Sequence, residues 1–159
     1  MKILGVIANN RRHLFEVRTR RQDLVFPYAK ADPAPSKLDR VEEVYVDDEL
    51  GREAFTFRLA SAAEGSVHLD AVLEYNDDPS YMADLALYRL TQEARTRFET
   101  SGLSAREVAR SLGTSPTQLY RLLDPTNYTK SLRQMLSFLY LLGCDVDVEV
   151  KDRQPRAAS

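Results

Sequence analysis

The chain has 159 residues, 43% of them apolar and 29% charged, the proportions of one folded domain or two small ones and not of a disordered chain. No stretch of about 18 apolar residues occurs, which excludes a membrane-spanning helix, and the apolar start at residues 1–8 is too short for a signal peptide. A single cysteine, Cys144, excludes an internal disulfide and a cysteine-based zinc site.

The net charge of −2 conceals a division, for residues 1–78 hold 11 Lys/Arg against 15 Asp/Glu, whereas residues 79–142 hold 8 against 5. Cationic charge is thus gathered in the middle of the chain, as contact with phosphates requires.

Residues 3–8 predict a first strand, with Asn9 and Asn10 behind it as residues that tolerate left-handed turn geometry. A second strand over 12–20 sets Phe15 and Val17 among charged neighbours. A third, Leu24, Val25 and Phe26, is closed by Pro27, and the prolines of residues 30–36 mark a loop. Alternation returns over 41–47, where Val44 and Val46 oppose Glu43 and Tyr45, and over 54–59, where Phe55 and Phe57 oppose Thr56 and Arg58. Residues 66–69 make a last strand before the short segment 70–75. The economical reading of 1–78 is one small, mostly antiparallel β-sheet domain.

After Asn76-Asp77-Asp78 the period changes. Asp78 can cap a helix whose first position is Pro79, where a missing N–H costs nothing. Ala83, Leu87, Leu90, Ala94 and Phe98 then recur at spacings of three and four, with Tyr81, Leu85 and Tyr88 on a second side, so this helix reads as the joint between two domains. Gly102 ends it. Three serine-led capping boxes follow: Ser104 with Glu107, Ser115 with Gln118, and Ser131 with Gln134. They predict helices over 105–112, 116–123 and 132–142, with Leu103 and Val108 at staple positions around the first box. Gly113 stops the first helix, Asp124-Pro125 the second and Gly143 the third. Small Ala109 admits a close crossing of the first two, with Val108, Leu112, Leu119 and Leu122 as their shared core. Residues 145–150 alternate Asp/Glu with Val and predict a terminal strand.

Residues 103–115, Leu-Ser-Ala-Arg-Glu-Val-Ala-Arg-Ser-Leu-Gly-Thr-Ser, resemble the first helix and turn of the lambda-repressor-like, or XRE-type, helix-turn-helix family. Residues 116–123 look like its recognition helix, and 131–143 are similar to the helix after it. The likeness covers about residues 80–150. The predicted terminal strand adds a similarity to HigA- and HipB-type antitoxins, in which such a strand supports dimer contacts.

The alternation of 1–78 and the resemblance over 80–150 together predict an α+β protein: a small antiparallel β-sheet domain (1–78) for dimerisation or for binding a partner or effector, which itself resembles no named family, an all-α helix-turn-helix DNA-binding domain (79–150) closed by a β-strand, and a flexible tail (151–159). The resemblance places Ser115, Thr117, Gln118 and Arg121 toward base edges, with Pro116 beside them. Their chemistry agrees, since Gln pairs with adenine, Arg with guanine, and a threonine methyl touches thymine. The rival reading is a solvated polar helix face. Arg106, Arg110, Tyr128, Lys130 and Arg133 are candidates for phosphate contact, which positions a protein without reading sequence; ordinary surface charge is the rival for Arg106 and Arg110. The donors of residues 126–129 suit the DNA backbone equally well. Arg18, Arg20 and Arg21 either touch nucleic acid or protect a sheet edge.

No enzyme is expected. His13 and His68 are far apart and read as structural, Asp77-Asp78 as a turn and helix cap, and Asp47-Asp48-Glu49 as a solvated loop. No cofactor or metal ligand set stands out. The sequence therefore predicts a cytoplasmic, homodimeric transcriptional regulator that binds double-stranded DNA at a palindromic operator. One alternative is the antitoxin of a toxin–antitoxin pair that also binds a toxin through residues 1–78. The other is an interaction module that no longer binds DNA.

Overall fold

A computed structural model describes residues 1–155 of the chain; residues 156–159, with the end of the predicted tail, lie outside the described residues. The chain divides into two compact units, Met1–Tyr81 and the part from Met82 onward.

The first unit has six strands: β1 (Ile3–Asn9), β2 (Leu14–Thr19), β3 (Asp23–Pro27), β4 (Val41–Val46), β5 (Ala54–Leu59) and β6 (Glu64–His68), followed by helix α1 (Leu69–Tyr75). They form two three-stranded antiparallel sheets, β1-β2-β3 and β4-β5-β6. Alternation within each strand explains the packing. Phe15 and Val17 of β2 and Leu24 and Phe26 of β3 turn inward, against Phe55, Phe57 and Leu59 of β5 and Val67 of β6. Phe15 lies at the centre, its ring centroid 4.8 Å from Tyr28, 4.8 Å from Phe55 and 5.1 Å from Phe57. Gly65 permits the close approach of the 32–33 segment, because a Cβ there would stand 2.5 Å from the Asp32 carbonyl oxygen and 2.6 Å from the Phe57 ring.

Polar side chains finish the strand edges. The Arg52 guanidinium donates to the Ile3 and Leu4 carbonyls along β1. The Asn76 amide both accepts from Val25 N–H and donates to Val25 C=O, standing in for a neighbouring strand beside β3. In the β1–β2 turn, His13 takes the left-handed conformation (φ 55°) expected of Asn9 or Asn10, and Asn9 instead accepts from Arg12 N–H through its side chain. His13 packs edge-on against Tyr28, and His68 caps α1 by accepting from Asp70 N–H.

Tyr28 gives a pH dependence. Its hydroxyl donates to Asn10 at 2.9 Å, and burial pushes its pKa up to about 12 from the usual 10.0. Between those values the unfolded chain has released a proton that the folded chain still holds, so stability must fall as pH rises from about 10 and stop falling near 12. In urea titrations across that range, Tyr28→Phe should show a shallower fall than the wild type; identical slopes would refute this.

The second part of the chain is helical: α2 (Pro79–Ser101), α3 (Ala105–Ser111), α4 (Pro116–Leu122) and α5 (Leu132–Leu141). Asp78 caps α2 by accepting from Tyr81 N–H. Along α2 the apolar residues serve different cores, Tyr81 the first and Leu90, Ala94 and Phe98 the second, while Tyr88 is exposed. The second core joins Ala94 to Val108, Ala109, Leu119, Leu122, Leu123, Met135, Phe138 and Leu139.

The chain is α+β, but the predicted layout of one small sheet, then an all-α domain, then a closing strand is corrected on three points. The strands form two sheets, because the proline-bearing segment after β3 carries the chain away and β4 comes to lie beside β1. Residues 70–75 belong to helix α1, inside the first unit. Residues 145–150 form no strand: Val146 packs on the helical core, but Val148 and Val150 are 80% and 92% exposed. Alternation gives a strand only where a neighbour supplies ladder hydrogen bonds, and none does so here. The segment that carried the HigA- and HipB-type likeness therefore lacks the conformation on which that likeness rested.

Candidate nucleic-acid interface

Two short helices and a three-residue turn build the candidate interface. Ser104 and Glu107 close a complete capping box around the start of α3. Leu112 then caps its C-terminus, and Gly113, at φ 68°, reverses the chain while Gly113 and Thr114 N–H groups return to the Arg110 and Ala109 carbonyls. Ser115 opens α4 by accepting from Gln118 N–H at 3.2 Å, with Pro116 in the first helical position. Val108, Ala109 and Leu119 are each 1% exposed or less, so the two helices are fixed against each other by close apolar contact. The staple residue Leu103 is 42% exposed and adds little to that contact.

The second and third boxes close only on the serine side. Ser115 and Ser131 accept from the backbone of Gln118 and Gln134, and neither glutamine side chain reaches back to its serine. The Gln118 amide is consequently left on the outer surface of α4. Ser115, the N-cap, and Thr117, Gln118 and Arg121 in the first two turns of this helix are all exposed. Buried Leu119 and Leu122 hold the opposite side.

The predicted phosphate contacts separate into two sets. Arg106 and Arg110 on α3, Arg133 on α5 and Tyr128 in the α4–α5 loop are exposed. Lys130 is not free. Its ammonium donates to Thr91 Oγ1 at 2.8 Å, Leu122 C=O at 2.9 Å and Asp124 C=O at 2.7 Å, using all three N–H bonds inside the fold. Burial lowers its pKa below the usual lysine range, and the Asp124 carboxylate partly opposes that shift. Lys130 is thereby corrected from a phosphate contact to a tie between α2 and the end of α4.

The rest of that loop is likewise self-satisfied. Thr126 donates its hydroxyl and N–H to Asp124 Oδ1, which keeps the Asp124 carboxyl below its ordinary range. Asn127 donates to Arg121 C=O and accepts from Thr129. Of the residues offered as backbone donors, Tyr128 alone faces outward with its hydroxyl unengaged.

Sequence reasoning missed Thr91, which is fully buried and accepts from Lys130 while donating to Leu87 C=O. One signal was available: Thr91 falls on the stripe of Leu87, Leu90, Ala94 and Phe98, where a polar residue implies a polar partner.

Among the described residues, no group of three or more His, Cys, Asp or Glu stands where it can hold a metal ion, and no helix is long and apolar enough to cross a membrane. No family model, curated protein or solved structure matches the chain.

Proposed function

We propose that this protein is a sequence-specific DNA-binding transcriptional regulator whose α4 reads base edges in the major groove, after the manner of XRE-type helix-turn-helix proteins. One observation carries the reading: Ser115, Thr117, Gln118 and Arg121 stand together, exposed and without side-chain bonds that consume Gln118 or Arg121, on a helix clamped from behind by α3 and the core. A B-DNA major groove is about 12 Å wide and accepts one helix, and the donors and acceptors of Gln and Arg match adenine and guanine edges. Arg106, Arg110, Tyr128 and Arg133 are the proposed phosphate contacts. A cytoplasmic homodimer would present two such helices to half-sites about 34 Å apart, which makes the operator a palindrome.

Selection from a random duplex pool with the full chain tests this. Enrichment of a palindromic sequence supports it; no retardation of any duplex at micromolar protein, with the circular dichroism of a folded chain, refutes it and leaves the interaction module. On the selected operator, Arg121→Ala should lose about 1–3 kcal/mol of discrimination at a single base position. Competition against operators varied one pair at a time measures that loss. An equal loss on random DNA would mean that Arg121 contacts phosphate.

A further inference from the structure

On the outer face of the first sheet is an open cavity of ≈ 490 Å³ that nothing in the DNA-binding reading uses. Its charged lining comprises Arg12, Glu16, Arg18 and Asp23. Two of these are already satisfied. Glu16 accepts from the Asn9 amide at 2.8 Å and has Arg12 at 3.9 Å.

The other two are not. Arg18 and Asp23 are directly opposite in the β2–β3 register, and oppositely charged side chains placed so on one face ordinarily pair. Among the described residues, neither has an ion-pair or hydrogen-bond partner through its side chain. Arg18 turns the other way, toward β1, and lies over Gly5: a Cβ on Gly5 would stand 3.4 Å from the guanidinium. The glycine is what gives the guanidinium its place. A cation and an anion therefore flank β2 unpaired, with strands spaced about 4.8 Å apart, which separates the charges by roughly one to two strand spacings. Beside them Val25 is half-buried and Ile7 is 64% exposed, an apolar border for an aliphatic chain.

We propose that this face binds a small dipolar ligand of the ω-amino acid class, its carboxylate on the Arg18 guanidinium and its ammonium on the Asp23 carboxylate. The planar fork of arginine matches a carboxylate with two parallel hydrogen bonds. Bridging the gap between the two charges takes a chain of roughly four carbons. A ligand with a single charge satisfies only half of the site.

The probe is 5-aminopentanoate, titrated into the full chain by calorimetry and followed by the backbone amide resonances of β1–β3, with pentanoate and pentylamine as single-charge controls. Saturable binding of 5-aminopentanoate at least about tenfold tighter than either control is expected, with a similar loss for Arg18→Gln and for Asp23→Asn. Gly5→Val, which crowds the guanidinium from its place, should weaken binding as well. All three changes are on the sheet exterior, and an unchanged melting temperature confirms that the loss is local. Equal binding of pentanoate would reduce the site to a plain anion contact and overturn the proposal, as would full binding by Arg18→Gln or no resonance shifts on β1–β3. The readout is independent of DNA binding, so either reading can fail without the other.

Discussion

Replacing Phe15 by alanine should cost about 3–5 kcal/mol, the range for truncating a wholly buried phenylalanine. The ring is wholly buried and lies within 5.1 Å, centroid to centroid, of Tyr28, Phe55 and Phe57, groups drawn from β5 of the second sheet and from the turn after β3. Truncation removes the transfer free energy of the ring and leaves a void. Two of its walls, Phe55 and Phe57, are held on β5 by ladders to β4 and β6, so they cannot close in to fill it. Each tilted ring pair contributes about 0.5–1.5 kcal/mol beyond area burial, and the substitution removes three of them. Against a typical domain stability of about 5–15 kcal/mol, roughly a fifth or more of the total goes. Urea unfolding followed by near-ultraviolet circular dichroism measures it, with Phe15→Leu as a comparison that retains most of the volume. A loss below about 1 kcal/mol would show that the two sheets do not share one rigid core.

Much of this core was legible because period-two alternation names the inward residues without reference to topology. Phe15, Val17, Phe55 and Phe57 are set by their own strands. The pairing of those strands is not. Nothing in the alternation of Val41–Val46 says that β4 will lie beside β1 and not beside β3, since that depends on the course of the intervening loop. The helical part shows the same division. Serine caps fix where α3, α4 and α5 begin, glycines with positive φ fix where α3 and α5 end, and Asp124-Pro125 follows the end of α4; all of this is local chemistry, and the exposed face of α4 follows from burial of Leu119 and Leu122. What local chemistry misleads on is any residue whose partner is distant in the chain. The valines of 145–150 imitate a strand in composition and lack a neighbour to pair with. Lys130 imitates a surface cation, yet its partner Thr91 is 39 residues away.

Lys130 gives the second large effect, and it reverses the expectation for a phosphate contact. A lysine on DNA, once removed, weakens binding evenly across sequences and flattens the dependence on salt by about one unit of log–log slope. Lys130→Met should instead destabilise the helical part by about 2–4 kcal/mol, because it removes three hydrogen bonds from a charged donor. It also takes a donor from the Leu122 and Asp124 carbonyls and leaves Thr91 Oγ1 with only its bond to Leu87 C=O. Thr91 is fully buried, and among the described residues no buried side-chain polar atom now lacks a partner. Leu122 is the last residue of α4 and Asp124 follows its C-cap, so the loss falls on the end of the proposed recognition helix and not on its base-reading turn. Lys130→Arg should rescue little, since a planar fork cannot converge on three acceptors arranged around one ammonium. Two measurements separate the alternatives. Thermal unfolding should show the loss without DNA present, and at a temperature where the variant remains folded its salt slope on the selected operator should equal that of the wild type. Arg133→Ala, an exposed change, should do the reverse: an unaltered melting temperature with a reduced slope. A Lys130→Met protein of undiminished stability but flattened salt dependence would return this side chain to the DNA backbone and break the tie described between α2 and α4.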